Sequence, residues 1–380
     1  MIAHLDTVLI KTASRCNLDC SYCYVYQSND TSWKQQPKKM SFETIDNVCH
    51  SLIEQSKKQK KGFAIVFHGG EPLLLGYEKI KLLISKLRSK LDFKNYPIGI
   101  QTNGILLTPD FLDFFSKAKV SISVSLDGTQ TANDIARIDH LGRSSFKDTI
   151  KGIKLLESHI DSKFLFAGTL SVIQPTISPL KIYTFLKGLN TPSMDFLLQD
   201  GNHDRLPIGK KSFDSVEYGE WITELLEIYL SDPKPVKIRF IDDLIKLYLG
   251  GTSIKEGRGE ETFGILIIET NGEIRKNDTL RTSFDGADFF QVRKNISSTP
   301  LSEILESNEF HASSKLQFPT AQKCIDCSLL KVCGGGMPLY RWSSINGYDN
   351  PSVYCHDHQL IIEKIEKMLK KHQINITQTE

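Results

Sequence analysis

Residues 16–23 read Cys-Asn-Leu-Asp-Cys-Ser-Tyr-Cys and place three cysteines in one short loop. At this C-x3-C-x2-C spacing, the thiolates of Cys16, Cys20 and Cys23 fit around one cuboidal iron–sulfur cluster. A [4Fe–4S] cluster has four irons, so three protein ligands leave one iron open. An open iron is of little use to a pure electron carrier, but it suits a cofactor that must be both coordinated and reduced. A zinc-binding loop is the alternative interpretation of the same spacing.

The loop stands at the start of an alternating pattern of strands and helices. Short apolar runs that alternate with amphipathic helices indicate a parallel sheet covered by helices. The predicted strands are Thr7–Thr12, Ala64–His68, Ile98–Thr102, Ser121–Leu126, Phe164–Val172 and Met194–Leu198. The predicted helices are Ser41–Lys58, Tyr77–Leu91, Pro109–Lys117, Ser145–Ser158 and Pro179–Lys187. Six such units predict an α/β fold, a partial (β/α)6 barrel of the TIM type, whose ligands belong at the carboxyl ends of the strands.

The pattern changes after about residue 205. The predicted domains are a core barrel over residues 1–205, a helical connecting region over 206–262 and a cysteine-rich domain over 263–380. The connecting region contains two predicted helices, Tyr218–Leu230 and Ile241–Leu249. The last domain begins with a hairpin around Asn271-Gly272, which is a strong turn signal. Cysteine and glycine dominate residues 319–357, so metal is expected to replace much of the hydrophobic core there. The chain then forms a helix near His358–Lys371 and a polar tail.

Composition excludes several classes of function. The chain has 380 residues, with 47 Lys and Arg against 45 Asp and Glu, for a formal net charge of +2. No basic field therefore points to nucleic acid, and no polybasic tail points to a membrane surface. No apolar stretch reaches the roughly 20 residues of a membrane-spanning helix, and the amino terminus lacks a secretion signal. The protein is predicted to be cytoplasmic, where its eight cysteines stay reduced instead of forming disulfides.

A second group of cysteines lies near the carboxyl terminus. It consists of Cys324, Cys327, Cys333 and Cys355. Four thiolates in this order satisfy either a zinc ion or a fully ligated [4Fe–4S] cluster, and the spacing alone does not decide between them. The remaining Cys49 stands in a helix pattern and is predicted to be a buried apolar residue.

Polar segments follow the predicted strands at their carboxyl ends. The second strand leads into Gly69-Gly70-Glu71-Pro72, where the glycines let the backbone approach a ligand closely. Glu71 can accept a hydrogen bond from an ammonium group. The third and fourth strands end in polar segments that contain Thr102, Asn103, Ser125 and Asp127. Arg137 lies in a polar loop, either as a bidentate partner of a carboxylate or as an ordinary surface residue.

Together these motifs resemble the radical S-adenosylmethionine (SAM) superfamily. The three-cysteine loop with an aromatic residue before its last cysteine is similar to that family's signature, and GGEP is similar to the motif that grips the amino group of SAM. The resemblance implies that SAM chelates the open iron and that one electron cleaves it to a 5′-deoxyadenosyl radical, which abstracts hydrogen. It also implies a set of SAM-contacting residues, namely Gly69, Gly70, Glu71, Pro72, Thr102, Asn103, Ser125, Asp127 and Arg137.

The carboxyl-terminal cysteines resemble the SPASM domain, an extension of radical SAM enzymes that modify peptides and proteins. A full SPASM domain carries two auxiliary clusters. Here Asn277 and Met337 stand where that domain has cysteines, and no cysteine lies between Cys49 and Cys324. The resemblance therefore implies two clusters in all, the SAM-binding cluster and one auxiliary [4Fe–4S] cluster, with zinc as the alternative for the second site.

One acidic residue follows the lost cysteine position. In sulfatase-maturing members of the family the acidic residue at this place acts as the catalytic base. Asp278 follows Asn277, so the resemblance implies that Asp278 removes the proton released when a substrate radical is oxidised. The alternative is a solvated aspartate in a turn.

The segment from Tyr24 to Trp33, together with His-Gly-Gly-Glu-Pro-Leu and Arg137-Ile-Asp-His140, looks like maturases that build cyclophanes in ribosomally made peptides. That resemblance implies hydrogen abstraction from a side-chain β-carbon, attack of the carbon radical on an aromatic ring, and loss of an electron and a proton. The implied partners are a ribosomally synthesised precursor peptide and a reductant such as flavodoxin or ferredoxin. The alternatives are a maturase that forms thioether crosslinks or formylglycine, and, in a different class, an electron-transfer or zinc-stabilised binding protein without catalysis.

Overall fold

A computed structural model describes residues 4–253 and 255–371. Its strands are β1 (Thr7–Ala13), β2 (Ala64–Gly69), β3 (Ile98–Thr102), β4 (Val120–Ser125), β5 (Phe166–Val172), β6 (Ser193–Leu197), β7 (Lys237–Ile238), β8 (Ile265–Ile268), β9 (Glu273–Arg275) and β10 (Lys294–Asn295). Its α-helices are α1 (Phe42–Lys58), α2 (Tyr77–Arg88), α3 (Pro109–Lys117), α4 (Gln130–Asn133), α5 (Phe146–Ser158), α6 (Ser162–Leu165), α7 (Pro179–Gly188), α8 (Glu217–Ser231), α9 (Arg239–Tyr248), α10 (Leu301–Glu306), α11 (Asn308–Lys315), α12 (Gln322–Ile325), α13 (Leu330–Cys333) and α14 (Cys355–Lys371). Strands and helices alternate from β1 to β6, which confirms the predicted α/β class.

The chain divides into two compact units. The first contains the residues up to Leu126, then Asn133–Thr169 and Phe263–Ser314. The second contains Asp127–Ala132, Leu170–Thr262 and the residues from Lys315 onward. Each unit is built from several separate stretches of the chain, whereas each predicted domain is one continuous stretch. The predicted boundaries near residues 205 and 262 therefore stay a prediction.

A mostly parallel sheet forms the core of the first unit, in the order β10-β9-β8-β1-β2-β3-β4. Strand β1 pairs in parallel with β2 on one side and with β8 on the other, so Ile10 lies opposite both Phe67 and Ile268. These three apolar side chains are buried, as expected for a parallel sheet that is covered on both faces. The hairpin predicted at Asn271-Gly272 joins β8 to β9, which run antiparallel.

Local sequence signals explain where the elements of this unit begin. Helix α1 begins after Ser41, whose hydroxyl accepts the Thr44 amide at 3.0 Å, and this N-cap satisfies a donor that the helix leaves open. The strand predicted over Phe164–Val172 begins later, at Phe166, because α6 forms a helical turn first. In that turn the Asp161 carbonyl accepts the Phe164 and Leu165 amides.

The second unit packs its helices around α14. Helices α8 and α14 contact each other at Gly219, where an added Cβ would lie 2.9 Å from the Asp357 Cα, so a side chain at this position would push the helices apart. Asp357 also accepts a hydrogen bond from the Gly219 amide at 2.7 Å and pairs with Lys210 at 2.7 Å. Helix α14 begins at Cys355, about one turn before the predicted start. The predicted polar tail after Lys371 lies outside the described residues. Among the helices that the structure describes, none combines the length and apolar character needed to cross a bilayer.

Candidate active site

The three-cysteine loop directly follows β1 and is held by backbone contacts. The Asp19 amide donates to the Ile138 carbonyl at 2.8 Å, and the Ser21 amide donates to the Ala136 carbonyl at 3.2 Å. The ring of His140 lies with its Nε2 3.0 Å from the Cys16 carbonyl oxygen. Because a neighbouring segment fixes the loop at several points, the three thiols are positioned by the fold and not by local spacing alone.

The three cysteine thiols of this loop interact electrostatically with one another. Burial, with a smaller contribution from the neighbouring cysteine thiols, raises the pKa of Cys16 to about 12 and the pKa of Cys23 to about 11. The Leu18 amide points at the Cys16 sulfur, at 3.4 Å. Thiolates are costly here without a positive partner, and a metal cluster supplies that partner. Three sulfur donors with adjacent amides fit a cluster with one iron left open.

The glycines after β2 are required by the close approach of two loops. The Gly70 amide donates to the Ala13 carbonyl at 2.9 Å, and the Glu71 amide donates to the Arg15 carbonyl at 3.0 Å. A Cβ on Gly70 would lie 2.1 Å from the Tyr26 hydroxyl and 2.2 Å from the Arg15 carbonyl oxygen. Only glycine therefore lets this segment lie against the cysteine loop.

Glu71 is almost fully buried and organises the ends of two strands. Its Oε1 accepts from the Thr102 hydroxyl at 2.8 Å and from the Leu73 amide at 3.0 Å, while its Oε2 accepts from the Asn103 amide at 2.8 Å. Burial raises the pKa of Glu71. A carboxylate oxygen accepts about two hydrogen bonds, so Oε2 has room for one further donor. An ammonium group placed there would also offset the cost of burying the charge.

Asn103 and Ser125, which are also predicted to contact SAM, form hydrogen bonds at the ends of β3 and β4. The Asn103 side-chain amide donates to the Asn17 side chain at 2.7 Å, and it lies 3.9 Å from the Cys16 sulfur. The Ser125 hydroxyl accepts from Gln101 at 2.8 Å. These contacts connect the ends of β3 and β4 to the cysteine loop.

Two predicted contact residues have structural partners. The carbonyl of Pro72 accepts from the Thr12 hydroxyl at 3.0 Å, which joins the turn after β2 to β1. Asp127 belongs to the second unit, is fully buried, and accepts the Val172 amide at 2.9 Å. Their predicted roles in binding SAM stay predictions.

Arg137 is not a surface residue. It is 7% exposed, so the alternative of an ordinary surface arginine is wrong. Its Nη1 donates to the Tyr22 hydroxyl at 2.9 Å, and Tyr22 is the residue just before the last cysteine of the loop. The guanidinium therefore lies beside the cluster loop, where its charge lowers the pKa of Cys23 and can hold a carboxylate.

Asp278 is buried and paired, so its interpretation as a solvated turn residue is wrong. Its Oδ1 accepts from Lys11 at 2.7 Å and lies 3.0 Å from the Arg281 Nε, while its Oδ2 accepts from the Tyr24 hydroxyl at 2.5 Å. Burial by itself raises the pKa of Asp278, but the charges of Arg281 and Lys11 outweigh it and hold the pKa well below its usual range. The carboxylate is therefore ionised and connected to the cysteine loop through Tyr24.

Further charged groups surround this carboxylate. Glu269 and Asp288 each lie 2.9 Å from the Arg281 Nη2, and Glu269 also lies 3.4 Å from Lys11. The ligand atoms of Glu269, Asp278 and Asp288 come within 4.8 Å of one another, but each carboxylate already has a cationic partner. The group is therefore an ion-pair network, which explains how five charges are tolerated in the core.

Sequence reasoning missed the partners of Asp278. Lys11 lies in the middle of β1 and is 2% exposed, and a lysine within an otherwise apolar strand is a signal that a buried anion faces it. His68 lies opposite Lys11 on β2, and burial lowers its pKa to about 4. Tyr24 carried no such signal, because a tyrosine next to a cysteine loop is common in either environment.

The second cysteine group lies in the second unit. Cys324 belongs to α12, Cys333 ends α13 and Cys355 begins α14, while Cys327 is exposed between the first two helices. Burial, with smaller contributions from the thiols of Cys355, Cys324 and Cys327, raises the pKa of Cys333 to about 12. The four predicted ligands therefore lie close enough to interact electrostatically, and the buried thiolates among them would need a metal for compensation.

Asn277 and Met337, which stand where a SPASM domain has cysteines, each lie at the start of a 3₁₀ helix. The Asn277 side chain accepts from the Thr279 amide at 3.3 Å and caps the 3₁₀ helix Asp278–Thr282. Met337 precedes the 3₁₀ helix Pro338–Arg341. Cys49 is 4% exposed within α1, which confirms its prediction as a buried apolar residue.

Comparisons with known proteins agree with this geometry. Residues 10–176 match the family described as the radical SAM superfamily. The cysteine-type anaerobic sulfatase-maturating enzyme of Clostridium perfringens is 25% identical over 370 residues, which cover 94% of this chain and 95% of that protein. The solved structure of native anSMEcpe with bound AdoMet and Cp18Cys peptide has a TM-score of 0.82 at 22% identity, and covers 97% of this chain and 99% of that one. Streptococcus suis SuiB bound to precursor peptide SuiA has a TM-score of 0.60 at 14% identity, with 89% and 72% covered.

Residues 10–176 match the radical SAM superfamily, and the chain is an enzyme that performs radical chemistry on a substrate. It accordingly uses a [4Fe–4S] cluster and SAM, which excludes the alternative of a binding protein without catalysis. Within this superfamily, the chain is similar over nearly its whole length to sulfatase-maturating enzymes, and it shares its fold with both of the peptide-bound structures.

Proposed function

We propose that the enzyme is a peptide maturase that oxidatively crosslinks residues of a ribosomally synthesised precursor. The crosslink is a carbon–carbon bond between an aromatic ring and a side-chain β-carbon, which closes a cyclophane. The observation that carries this proposal is that one chain contains both a three-cysteine loop, which would leave one iron of a [4Fe–4S] cluster open, and a separate four-cysteine site. Such a chain can start a radical reaction and can also accept the electron that an oxidative crosslink releases.

The residues around the loop bind and orient SAM in this proposal. Glu71 accepts the amino group at its Oε2, Arg137 holds the carboxylate, and Asn103 stands between the loop and the strand ends. Cys16, Cys20 and Cys23 hold the cluster. When bound and reduced, the cluster and SAM supply a radical that abstracts a hydrogen atom.

Asp278 accepts the proton in the oxidative step. A carboxylate with so low a pKa is a weak base, so it accepts protons only from strongly acidic groups. An aromatic ring that has gained a carbon substituent and lost an electron is such a group. The substrate loses one hydrogen atom from its β-carbon, one proton from the ring and one electron, and the new bond replaces two C–H bonds.

The four-cysteine site would hold an auxiliary [4Fe–4S] cluster, which would supply an acceptor for the electron. Zinc has no redox chemistry in proteins and would leave the oxidation without an acceptor. Asn277 and Met337 cannot supply the thiolates of a further cluster, so the proposal includes two clusters. A flavodoxin or ferredoxin supplies the electron that starts each turnover.

The test combines two measurements on anaerobically reconstituted enzyme with one on a co-expressed peptide. About eight irons per chain are expected from two clusters, together with 5′-deoxyadenosine formation from SAM and dithionite. A short peptide encoded beside the gene, co-expressed with the enzyme, should lose about two hydrogens, which is the stoichiometry of one crosslink. Enzyme that forms 5′-deoxyadenosine but contains about four irons and one zinc would contradict the proposed oxidation.

Formylglycine formation is a second candidate, favoured by the similarity to the sulfatase-maturating enzyme over 94% of this chain. Oxidation of serine to formylglycine also removes two hydrogens, so mass alone does not separate it from a crosslink. Trapping with a hydroxylamine reagent does, because formylglycine contains an aldehyde and a cyclophane does not. A thioether crosslink is distinguished by the loss of a free thiol from the peptide.

A further inference from the structure

The four-cysteine site contains a fifth polar group that the proposed function does not use. His358 lies three residues after Cys355 on α14, so the two side chains share one face of the helix. The His358 Nδ1 lies 3.4 Å from the Cys333 sulfur. Cys333 comes from α13, so this contact joins two of the three helices that hold the site.

The imidazole is enclosed on its other sides. A small cavity beside it is lined by the apolar side chains of Phe240, Leu244, Ile361 and Ile362 and by Arg258. Gly336 lies next to the ring, and a Cβ there would lie 3.5 Å from the His358 Cε1. The ring therefore has little freedom to turn away, and its Nδ1 faces the cysteine sulfur.

We propose that His358 donates an N–H···S hydrogen bond to the Cys333 thiolate and thereby raises the reduction potential of the auxiliary cluster. The inference rests on the proposed function in one respect, because it assumes an iron–sulfur cluster at the four cysteines. Neutral imidazole carries its N–H on only one ring nitrogen, so the proposal assigns that proton to Nδ1, because a thiolate can only accept a hydrogen bond. The Gly335 amide also donates to Cys333, which makes this sulfur the receiver of two hydrogen bonds.

The direction of the effect follows from charge. A reduced cluster carries one more negative charge than an oxidised one, and part of that charge resides on the ligand sulfurs. A hydrogen bond to sulfur stabilises the reduced state more, so it raises the potential. A cluster that must accept an electron from a substrate radical works better at the higher potential.

The experiment isolates the auxiliary cluster in the full chain. Alanine at Cys16, Cys20 and Cys23 removes the SAM-binding cluster, and His358→Leu, His358→Gln or His356→Leu is added to that background. His356 is the matched control, because it lies on the same turn of α14 but faces Asp214. Iron content and the midpoint potential are measured by chemical analysis and by EPR-monitored redox titration.

We expect all variants to retain about four irons. In His358→Leu the reduction equilibrium should become about tenfold less favourable, which is 59 mV for a one-electron couple. His356→Leu should leave the potential unchanged, and His358→Gln, whose amide can donate, should recover part of the loss. An exchangeable deuterium coupling in pulsed EPR should disappear in His358→Leu alone.

Three results overturn the inference. Equal potentials in His358→Leu and His356→Leu, with iron retained, refute the hydrogen bond and leave the proposed function intact. Iron loss in both His358 variants but not in the control shows that His358 is a ligand or holds the site together. Zinc in place of iron in the unsubstituted background refutes both the auxiliary cluster and its tuning.

Discussion

Replacing Lys11 with methionine tests the ion-pair network around Asp278. The substitution keeps the length and apolar stem of the side chain but removes the charge between Asp278 and Glu269, which lie 2.7 Å and 3.4 Å from the ammonium nitrogen. At an effective dielectric constant of about 20, these attractions amount to about 6 and about 5 kcal/mol. Desolvation of the ammonium group offsets much of this gain, so removing one buried partner has a net cost of about 3–5 kcal/mol.

The lower end of that range is expected, because Asp278 keeps Arg281 at 3.0 Å. For a unit of roughly 200 residues, about 3 kcal/mol lowers Tm by about 6–12 °C. The assay is thermal unfolding of the reconstituted enzyme under anaerobic conditions. Lys61→Met is the matched control, since Lys61 forms an exposed ion pair with Asp6 in the same unit and such pairs contribute little.

A double-mutant cycle with Asp278→Asn separates the pair from general damage to the core. The double variant should be less destabilised than the sum of the single variants by about 2 kcal/mol or more, because neither charge is then left alone. Additivity within about 0.5 kcal/mol, or equal effects of Lys11→Met and Lys61→Met, would refute the reasoning.

The loss of stability in Lys11→Met should depend on pH in a way that follows from the lowered pKa of Asp278. The folded pKa of Asp278 lies below the unfolded value of about 3.9, so its contribution to stability is fully present above about pH 4 and is lost as the pH falls through the folded pKa. The Lys11→Met penalty should therefore be constant above about pH 6.5, because His68, whose pKa Lys11 helps to lower, is then largely neutral in the folded chain. A penalty that declines across this range would show that another group titrates.

Further predictions concern the clusters and SAM. Alanine at the three cysteines of residues 16–23 should abolish 5′-deoxyadenosine formation while about four irons remain in the second site, and loss of all iron would contradict independent sites. Glu71→Gln should weaken SAM binding about tenfold or more, because the ammonium group loses a charged acceptor. Equilibrium dialysis measures the affinity for SAM. An unchanged affinity would show that Glu71 does not bind SAM. Arg137→Ala should weaken SAM binding by a similar factor, and Tyr22→Phe should weaken it less. Equal effects of the two variants would mean that Arg137 acts only through its hydrogen bond to Tyr22.

Much of the barrel was predictable because its signals are local. Buried parallel strands appear as short apolar runs, and the predicted strand at Ile98–Thr102 and helix at Pro109–Lys117 have the bounds that the structure shows. The spacing of the three-cysteine loop likewise depends on a few adjacent residues. Glu71 was a candidate because its glycine neighbours mark a close approach of the backbone, and the structure shows that approach directly.

Long-range pairing was not predictable in the same way. The hairpin at Asn271-Gly272 was expected, but nothing in its sequence shows that β8 pairs with β1, more than 250 positions earlier. That pairing brings Lys11 against Asp278, residues separated by 267 positions. A turn aspartate flanked by polar residues has the same local sequence whether it is solvated or buried, because the cations that stabilise the buried charge come from elsewhere in the chain.

The sequence by itself determined the class of this protein, through cysteine spacing, strand-end motifs and the alternation of strands and helices. Only the tertiary structure decided what surrounds the reactive groups: that Arg137 and Asp278 are buried, that Glu71 has room for one more donor, and that His358 faces Cys333. The physical reason is that ligand spacing and hydrophobic periodicity are properties of neighbouring residues. Burial, pKa and hydrogen bonding are set by residues that meet only when the chain has folded.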